Sequence, residues 1–279
     1  ATSIPVVTGQ SFSERQLLDG LMIHSANDFA DSLARWDAGS LSAFVAKMNA
    51  TAQALGMRAT HYADPSGIDE NSVSTAGDQL RLTDAAMAIP AFAAIVAQPT
   101  ITVAGVGLLA NYVPAVGTDG VVGVKSGFTQ AAMGCVVLAA ERTVAGRQVL
   151  VLAALTGQQS GAADPIRVAD RRAVALIDAA ASGVVQQTLV ERGTQVGYVG
   201  AQWRSGTVGL VTGDAVQTLA WPGQQVEFTM QTASVRAGLA RGAAVGTLVV
   251  TKGTQRFRVP VRTTGDLPGP SWHWRYSRP

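Results

Sequence analysis

The hydrophobic pattern changes character once along the chain. Up to about residue 180, apolar positions recur either every three and four residues or in short runs; beyond about 188 only brief alternating runs separated by glycines remain. The spacing predicts an extended segment over 1–10 with a turn at Thr8-Gly9. A helix then begins at Ser13, whose hydroxyl caps it with Gln16 as the reciprocal partner and Phe12 stapled onto Leu17. Leu17, Leu18, Leu21 and Met22 form its buried stripe. A second helix runs from about Asp28 to Trp36. A third carries Leu41, Phe44, Val45, Met48, Ala52 and Leu55 on one face and stops at Gly56. Residues 57–78 read as a long ordered loop, a length that often accompanies function. Thr75 to Met87 is helical, with Pro90 ending or interrupting it. Strands are expected at 100–106, 121–124, 133–141 and 148–155, the last two joined by a turn at Ala145-Gly146. A helix follows over 164–181 with Ile166, Ala169, Ala173, Leu176 and Ile177 inward.

The later strands are expected at 195–199, 207–212, 226–232, 247–251 and 256–262. In the last, Phe257, Val259 and Val261 alternate with Arg256 and Arg258, so one face is buried and one wet. The expected organisation is an α/β (α+β) domain over 1–183, a small all-β sandwich over 188–262, and a tail over 263–279.

Composition narrows the function. Hydrophobic residues make up 47% of the 279 and charged residues 14%, enough to bury a core. The net charge of +2 comes with scattered Lys and Arg and no basic run, which excludes a nucleic-acid partner. The single cysteine, Cys135, excludes an internal disulfide and a cysteine metal site, and its apolar setting reads as a buried structural thiol. His61 and His273 have no partner at metal spacing, so no metal is expected. Asp64, Asp69 and Glu70 read as loop caps and solvated charges. Gly-Val-Gly at 105–107 lacks the third glycine and helix of a nucleotide fingerprint, and no cofactor is implied. No apolar run is long enough to span a membrane. The chain opens on Ala rather than Met, which reads as a processed, trimmed or partial product.

Two short stretches carry chemistry. Ser25-Ala26-Asn27 follows the first helix. Lys125-Ser126-Gly127 ends the apolar strand that starts at Val121. Gly123 interrupts that strand where another backbone comes close, and Gly127 leaves the backbone open to a ligand. Such an edge can pair with an extended peptide while a Lys and a Ser hold its carboxylate. Each tripeptide alone is equally a polar turn. His24 beside Ser25 is not a triad, because sequence neighbours rarely form one.

A Ser-x-Asn and a Lys-Ser/Thr-Gly in this order resemble two of the three motifs of penicillin-binding serine peptidases and β-lactamases. Residues 24–29, 44–67, 74–78 and 120–129, and the Gly-Ala-Ala-Val-Gly-Thr-Leu-Val-Val run at 242–250, resemble low-molecular-weight D-alanyl-D-alanine carboxypeptidases. The resemblance implies a β-lactamase/transpeptidase-like fold followed by the β-sandwich. It also implies a serine-type enzyme that trims terminal D-Ala from peptidoglycan stem peptides and is inhibited by β-lactams. By resemblance Ser25 moves protons, Asn27 holds the substrate backbone, and Lys125 and Ser126 align the peptide and its carboxylate. Gly127 and Thr129 bind substrate on the same strand, and Phe128 offers an oxyanion-hole N–H. Arg167 is either a carboxylate clamp or an exposed helix charge.

One motif is absent. The family's nucleophile sits in Ser-x-x-Lys, but Lys47, Lys125 and Lys252 follow Phe44, Val122 and Val249 at that spacing. The expectation is an N-terminally incomplete domain with no nucleophile in this chain, inactive alone. The rival readings are a pseudoenzyme that binds cell-wall peptide, and a β-lactamase, which the appended β-module disfavours. Trp272, Trp274, Arg275, Tyr276 and Arg278 resemble an interfacial belt against a membrane surface. The expected location is extracytoplasmic, on the cell-wall side and membrane-anchored.

Overall fold

The computed structural model describes residues 2–159, 161, 163–203, 205–232 and 238–276. The chain divides into two compact units, Ala1–Ser182 and Gly183–Pro279.

The first unit is a three-stranded antiparallel sheet covered on both faces. The sheet is β3 (Val121–Thr129), β4 (Met133–Val144) and β5 (Arg147–Gln158), in the order β3-β4-β5. Val136, Leu138 and Ala140 alternate onto one face and meet Ala169, Ala173 and Ile177 of α6 (Pro165–Gly183). Ala139 and Val124 point to the other face, where they meet Val96, with Met87 and Phe92 packed on the cluster. The alternation of the strands therefore dictates a helix layer on each side. Leu176, expected inside, is exposed, and Val168 and Asp170 are buried instead. The inward stripe of α6 is thus displaced toward its N-terminal half.

The helices ahead of the sheet are α1 (Glu14–His24), α2 (Asn27–Ala38), α3 (Leu41–Ala54), α4 (Ala76–Met87) and α5 (Pro90–Val96). Ser13 and Gln16 form the capping box of α1. Its four large apolar residues are only half-buried, and Gly20 and Ile23 are the buried ones. Gly20 has a steric reason: a Cβ there would lie 2.5 Å from the Phe29 ring, so only glycine lets α1 and α2 close on each other. Pro90 interrupts the helical run as expected: α4 stops at Met87, and Pro90 opens α5 at its first position, where its missing N–H costs nothing. The stretch expected as one strand over 100–106 is a hairpin, β1 (Thr100–Val103) and β2 (Gly107–Ala110), because Gly105 and Gly107 take positive φ. Gly123 is crowded by the Val96 side chain rather than by backbone. Cys135 is half-buried, not fully buried.

The ordered loop between α3 and α4 has two acidic hubs. Asp64 accepts from the hydroxyl of Ser66 and from the N–H groups of Ser66, Ile68 and Asp69. Asp78 is buried within α4 and accepts from Ala59 N at 2.9 Å, Thr60 Oγ1 at 2.8 Å and Arg81 at 2.8 Å. Burial pushes the Asp78 carboxyl up, but the bond from Thr60, the bond from Ala59 and the Arg81 charge outweigh it and hold it below the usual range.

The second unit is all-β apart from a final short helix. Its strands are β6 (Val185–Val190), β7 (Gln195–Gly200), β8 (Thr207–Thr212), β9 (Val216–Ala220), β10 (Glu227–Thr232), β11 (Ala244–Lys252) and β12 (Gln255–Thr263). One sheet runs β10-β11-β12-β8-β7 and the other is β6-β9. Val190 and Val216 of the small sheet share a core with Leu210, Leu248, Val250, Val259 and Val261 of the large one. Strands β6 and β9 were not expected; β6 has its three polar residues in one run, Gln186 to Thr188, so it does not alternate. Residues beyond 263 continue the unit, since Leu267 is 1% exposed and pairs with Leu239. The aromatic tail forms the short helix α7 (Trp272–Tyr276), with Trp272 and Tyr276 exposed. Arg278 lies outside the described residues. No single helix is long and apolar enough to cross a membrane, among the described residues.

Candidate active site

The site is built where α1 turns into α2 beside β3. Ser25 ends α1 with φ 60° and ψ 37°, a left-handed conformation that costs a non-glycine residue about 1 to 3 kcal/mol. The surroundings hold it there. The Ala26 N–H reaches back to Gly20 O at 3.2 Å, and Ala26 and Phe29 are buried beneath the turn. Asn27 opens α2. Its N–H donates to Thr2 O at 2.9 Å, and its amide nitrogen, in the orientation that satisfies both ends, donates to Ser25 O at 2.8 Å and Thr2 O at 3.2 Å. The asparagine thus fixes the turn and the entering segment together.

Lys125 reaches this turn from β3. Its Nζ donates to Ser25 Oγ at 2.7 Å and to Ser126 O at 2.8 Å, joining positions 100 residues apart. No carboxylate pairs with it among the described residues. Burial, with no compensating anion, pushes its pKa down to about 8. Roughly a tenth of it is then a free amine at pH 7, able to accept a proton and return it. A hydroxyl on such an amine is a two-atom proton relay.

The other expected residues divide. Ser126 sits beside Lys125 but is 6% exposed, and its hydroxyl donates to Tyr112 O at 2.6 Å. Adjacent strand residues point to opposite faces, so Ser126 is turned away from Ser25 and braces the 111–120 loop. Gly127 borders open space: a Cβ there would meet nothing within 4 Å. Phe128 is 45% exposed. Thr129 Oγ1 accepts from Ala132 N at 3.0 Å and closes the β3–β4 turn. β3 is an edge strand paired only with β4, so its far side is open to an extended backbone. Arg167 stands in the first turn of α6, largely exposed, 3.9 Å from Asp164 and bonded to neither Ser25 nor Lys125.

Two residues near the site were not singled out as working parts. Tyr112 N donates to Ile23 O at 2.9 Å, and its ring stacks on His24 at 4.6 Å between centroids. His24 Nδ1 lies 3.3 Å from Ala110 O. Together they form a wall next to Ser25. The aromatic between Asn111 and Val113, in the loop leading to the Lys-Ser-Gly strand, was the only sequence signal. Below the same loop, Asp170 of α6 is buried with one oxygen unpartnered. Burial raises its pKa, against a bond from Ala115 N and the charges of Arg167 and Arg171. No group of His, Cys, Asp or Glu could hold a metal among the described residues.

The chain as a whole is similar to known proteins. The family model for D-alanyl-D-alanine carboxypeptidase matches residues 1–156, and the chain belongs to that family. A D-alanyl-D-alanine carboxypeptidase of Mycobacterium tuberculosis is 40% identical over 167 residues, 55% of this chain and 54% of the relative. The chain therefore spans about half the length of that relative. The crystal structure of a D-alanyl-D-alanine carboxypeptidase from Mycobacterium tuberculosis H37Rv superposes with a TM-score of 0.53 at 32% identity, over 64% of this chain and 69% of that one. A carboxypeptidase structure from Francisella tularensis gives 0.66 at 20% identity, over 96% and 78%, and so shares the fold.

Proposed function

We propose that this chain supplies the proton-relay and peptide-aligning part of a serine-type D-Ala-D-Ala carboxypeptidase that removes the terminal D-Ala from peptidoglycan stem peptides. The observation that carries this is the Lys125–Ser25 contact at 2.7 Å beside the open β3 edge. The stem peptide pairs with β3, passing over Gly127, with the N–H of Phe128 available to a developing oxyanion. Ser25 and Lys125 carry the proton between the attacking serine and the leaving amine. An acyl-enzyme forms on a serine activated by a lysine three residues on, and water then releases it. That pair is absent from residues 1–279. These residues alone form no acyl-enzyme, and they bind the peptide without cutting it. β-Lactams occupy the same site as peptide mimics; a penicillin-binding protein of Listeria monocytogenes, 27% identical, is known with cefotaxime bound. On this reading the chain works on the cell-wall side of the membrane, with Trp272 and Tyr276 against the bilayer surface.

The test is mass spectrometry after incubation with a labelled penicillin. Residues 1–279 should stay unmodified and release no D-Ala from a peptide ending in D-Ala-D-Ala. The same chain preceded by a segment carrying Ser-x-x-Lys should do both. A stoichiometric adduct on Ser25, or on any serine of residues 1–279, would overturn the assignment of roles.

A further inference from the structure

A second surface with binding chemistry lies wholly within the β-sandwich unit. Charge is unevenly divided along the chain. Residues 183–279 hold ten lysines and arginines against four acidic residues, whereas residues 1–182 hold eleven against fifteen. On β12, Phe257, Val259 and Val261 pack into the core, so Arg256, Arg258 and Arg262 stand on the outer face of the five-stranded sheet. β12 is the middle strand, which puts the row at the centre of that face. Arg258 donates to Gln231 Oε1 at 2.9 Å and Arg262 to Gly242 O at 3.0 Å, both neutral partners. Every ion pair among the described residues falls within residues 1–182.

The row ends in a concavity of about 230 Å³ that Arg262 shares with Arg192 and Arg241. Gly213 makes room for it: a Cβ there would lie 3.0 Å from Arg262 Nε. None of the described acidic residues forms an ion pair with Arg256, Arg258 or Arg262. Glu227 is two strands from Arg256 in register, and Asp266 accepts from the Arg241 backbone N–H at 2.7 Å. A sheet face that only had to be wet would be served by mixed charges; five arginines together repel one another unless an anion is present.

We infer that this face binds a linear chain of linked phosphates of the inorganic polyphosphate type. Arg256 and Arg258 lie about 7 Å apart along the strand and Arg262, beyond Pro260, about 14 Å further, a row that the charges of an extended polymer can follow. Guanidinium forks hold phosphate oxygens in pairs. Around the row Thr229, Gln231, Thr247 and Thr251 are polar, and Val249 opposite Arg258 is only 9% exposed, so the face offers a bilayer little apolar surface and suits a polymer better. The surface shares no residue with the Ser25–Lys125 site and stands whether or not the carboxypeptidase reading holds.

The experiment measures anisotropy of fluorescein-labelled linear polyphosphate with the full chain between 50 and 200 mM salt. Three phosphate contacts predict a log–log salt slope of about −2 to −3, a loss of roughly 16- to 64-fold over that range. R256S/R258S/R262S should weaken binding at least about tenfold and flatten the slope, while the equally charged control R35S/R58S/R147S should bind as the wild type. Arginine modification by phenylglyoxal, mapped on the wild-type chain, serves if the triple variant fails to fold. The polymer should then protect Arg256, Arg258 and Arg262 but not Arg35 or Arg58. No binding at 50 mM salt, equal weakening by both triple variants, or absent protection would overturn the proposal. So would binding to vesicles of neutral and anionic phospholipid that R256S/R258S/R262S abolishes, with no binding to polyphosphate.

Discussion

Each unit of the chain draws a lysine out of solvent, Lys252 fully and Lys125 partly, and the two do different things. Lys252, on β11, is 8% exposed and donates to Leu219 O at 2.6 Å. β11 lies between two neighbouring strands, so nothing can reach it along the sheet. Lys125, on the edge strand β3, donates instead to a serine hydroxyl and has its pKa pushed down to about 8 by burial. A carbonyl partner can only accept a hydrogen bond, whereas a hydroxyl can also give up its proton. Burial of an ammonium is therefore not the mark of this site. The marks are a partner that can exchange a proton and an edge where a peptide can lie.

The sharpest way to break this contrast is to remove each ammonium in a chain that also carries Ser-x-x-Lys. Lys125→Met should slow acylation by a labelled penicillin by about 10² to 10⁴-fold, the range for a positioned proton-transfer group. Lys252→Met should leave the acylation rate of the folded protein unchanged. Equal losses from both would reduce Lys125 to a structural lysine.

The next test uses pH. Because the folded pKa of Lys125 is about 8 and its ordinary value 10.5, the unfolded chain binds more protons between those values. Wild-type stability should therefore rise from pH 8 to 10.5 relative to Lys125→Met, and the difference should be flat below pH 8. Urea titrations of both proteins across this window would show it. A difference that falls with pH would mean that the amine is held charged.

A smaller effect concerns Asp170, whose pKa is raised by burial. Its charged form opposes folding at neutral pH, and the penalty disappears as pH falls through the folded pKa. Asp170→Asn should raise Tm modestly at pH 7, with no gain below pH 3.8, where the carboxyl is protonated in both states. Calorimetry showing a lower Tm at pH 7 would point instead to a structural need for the charge.

Much of this was legible in the sequence. The Ser13–Gln16 capping box, the Ala145-Gly146 turn and the inward alternation on β12 are local signals, and local geometry decides them. The convergence of Ser25 with Lys125 was legible through the paired motifs, although no local rule joins positions 100 apart. The direction of the Ser126 hydroxyl was not legible, because it depends on where Tyr112 O falls after the 111–120 loop has folded. The hairpin at 100–110 was missed because its second strand, Gly-Leu-Leu-Ala, has no alternation to detect. Strands β6 and β9 pair only with each other, and their polar residues come in runs, Gln186 to Thr188 and Gln217 to Thr218, which leave little periodic trace.

The open side of β3 has one more consequence, for solubility. Unpaired main-chain groups accept any extended backbone, including the same edge of another copy. The irregularity between Val121 and Gly123 spoils the regular ladder at one end, and the Lys125 charge opposes close stacking in the middle. The flat stretch left for indiscriminate pairing is only Ser126 to Thr129. A bound peptide would cover that stretch as well, so occupancy and resistance to self-association should rise together.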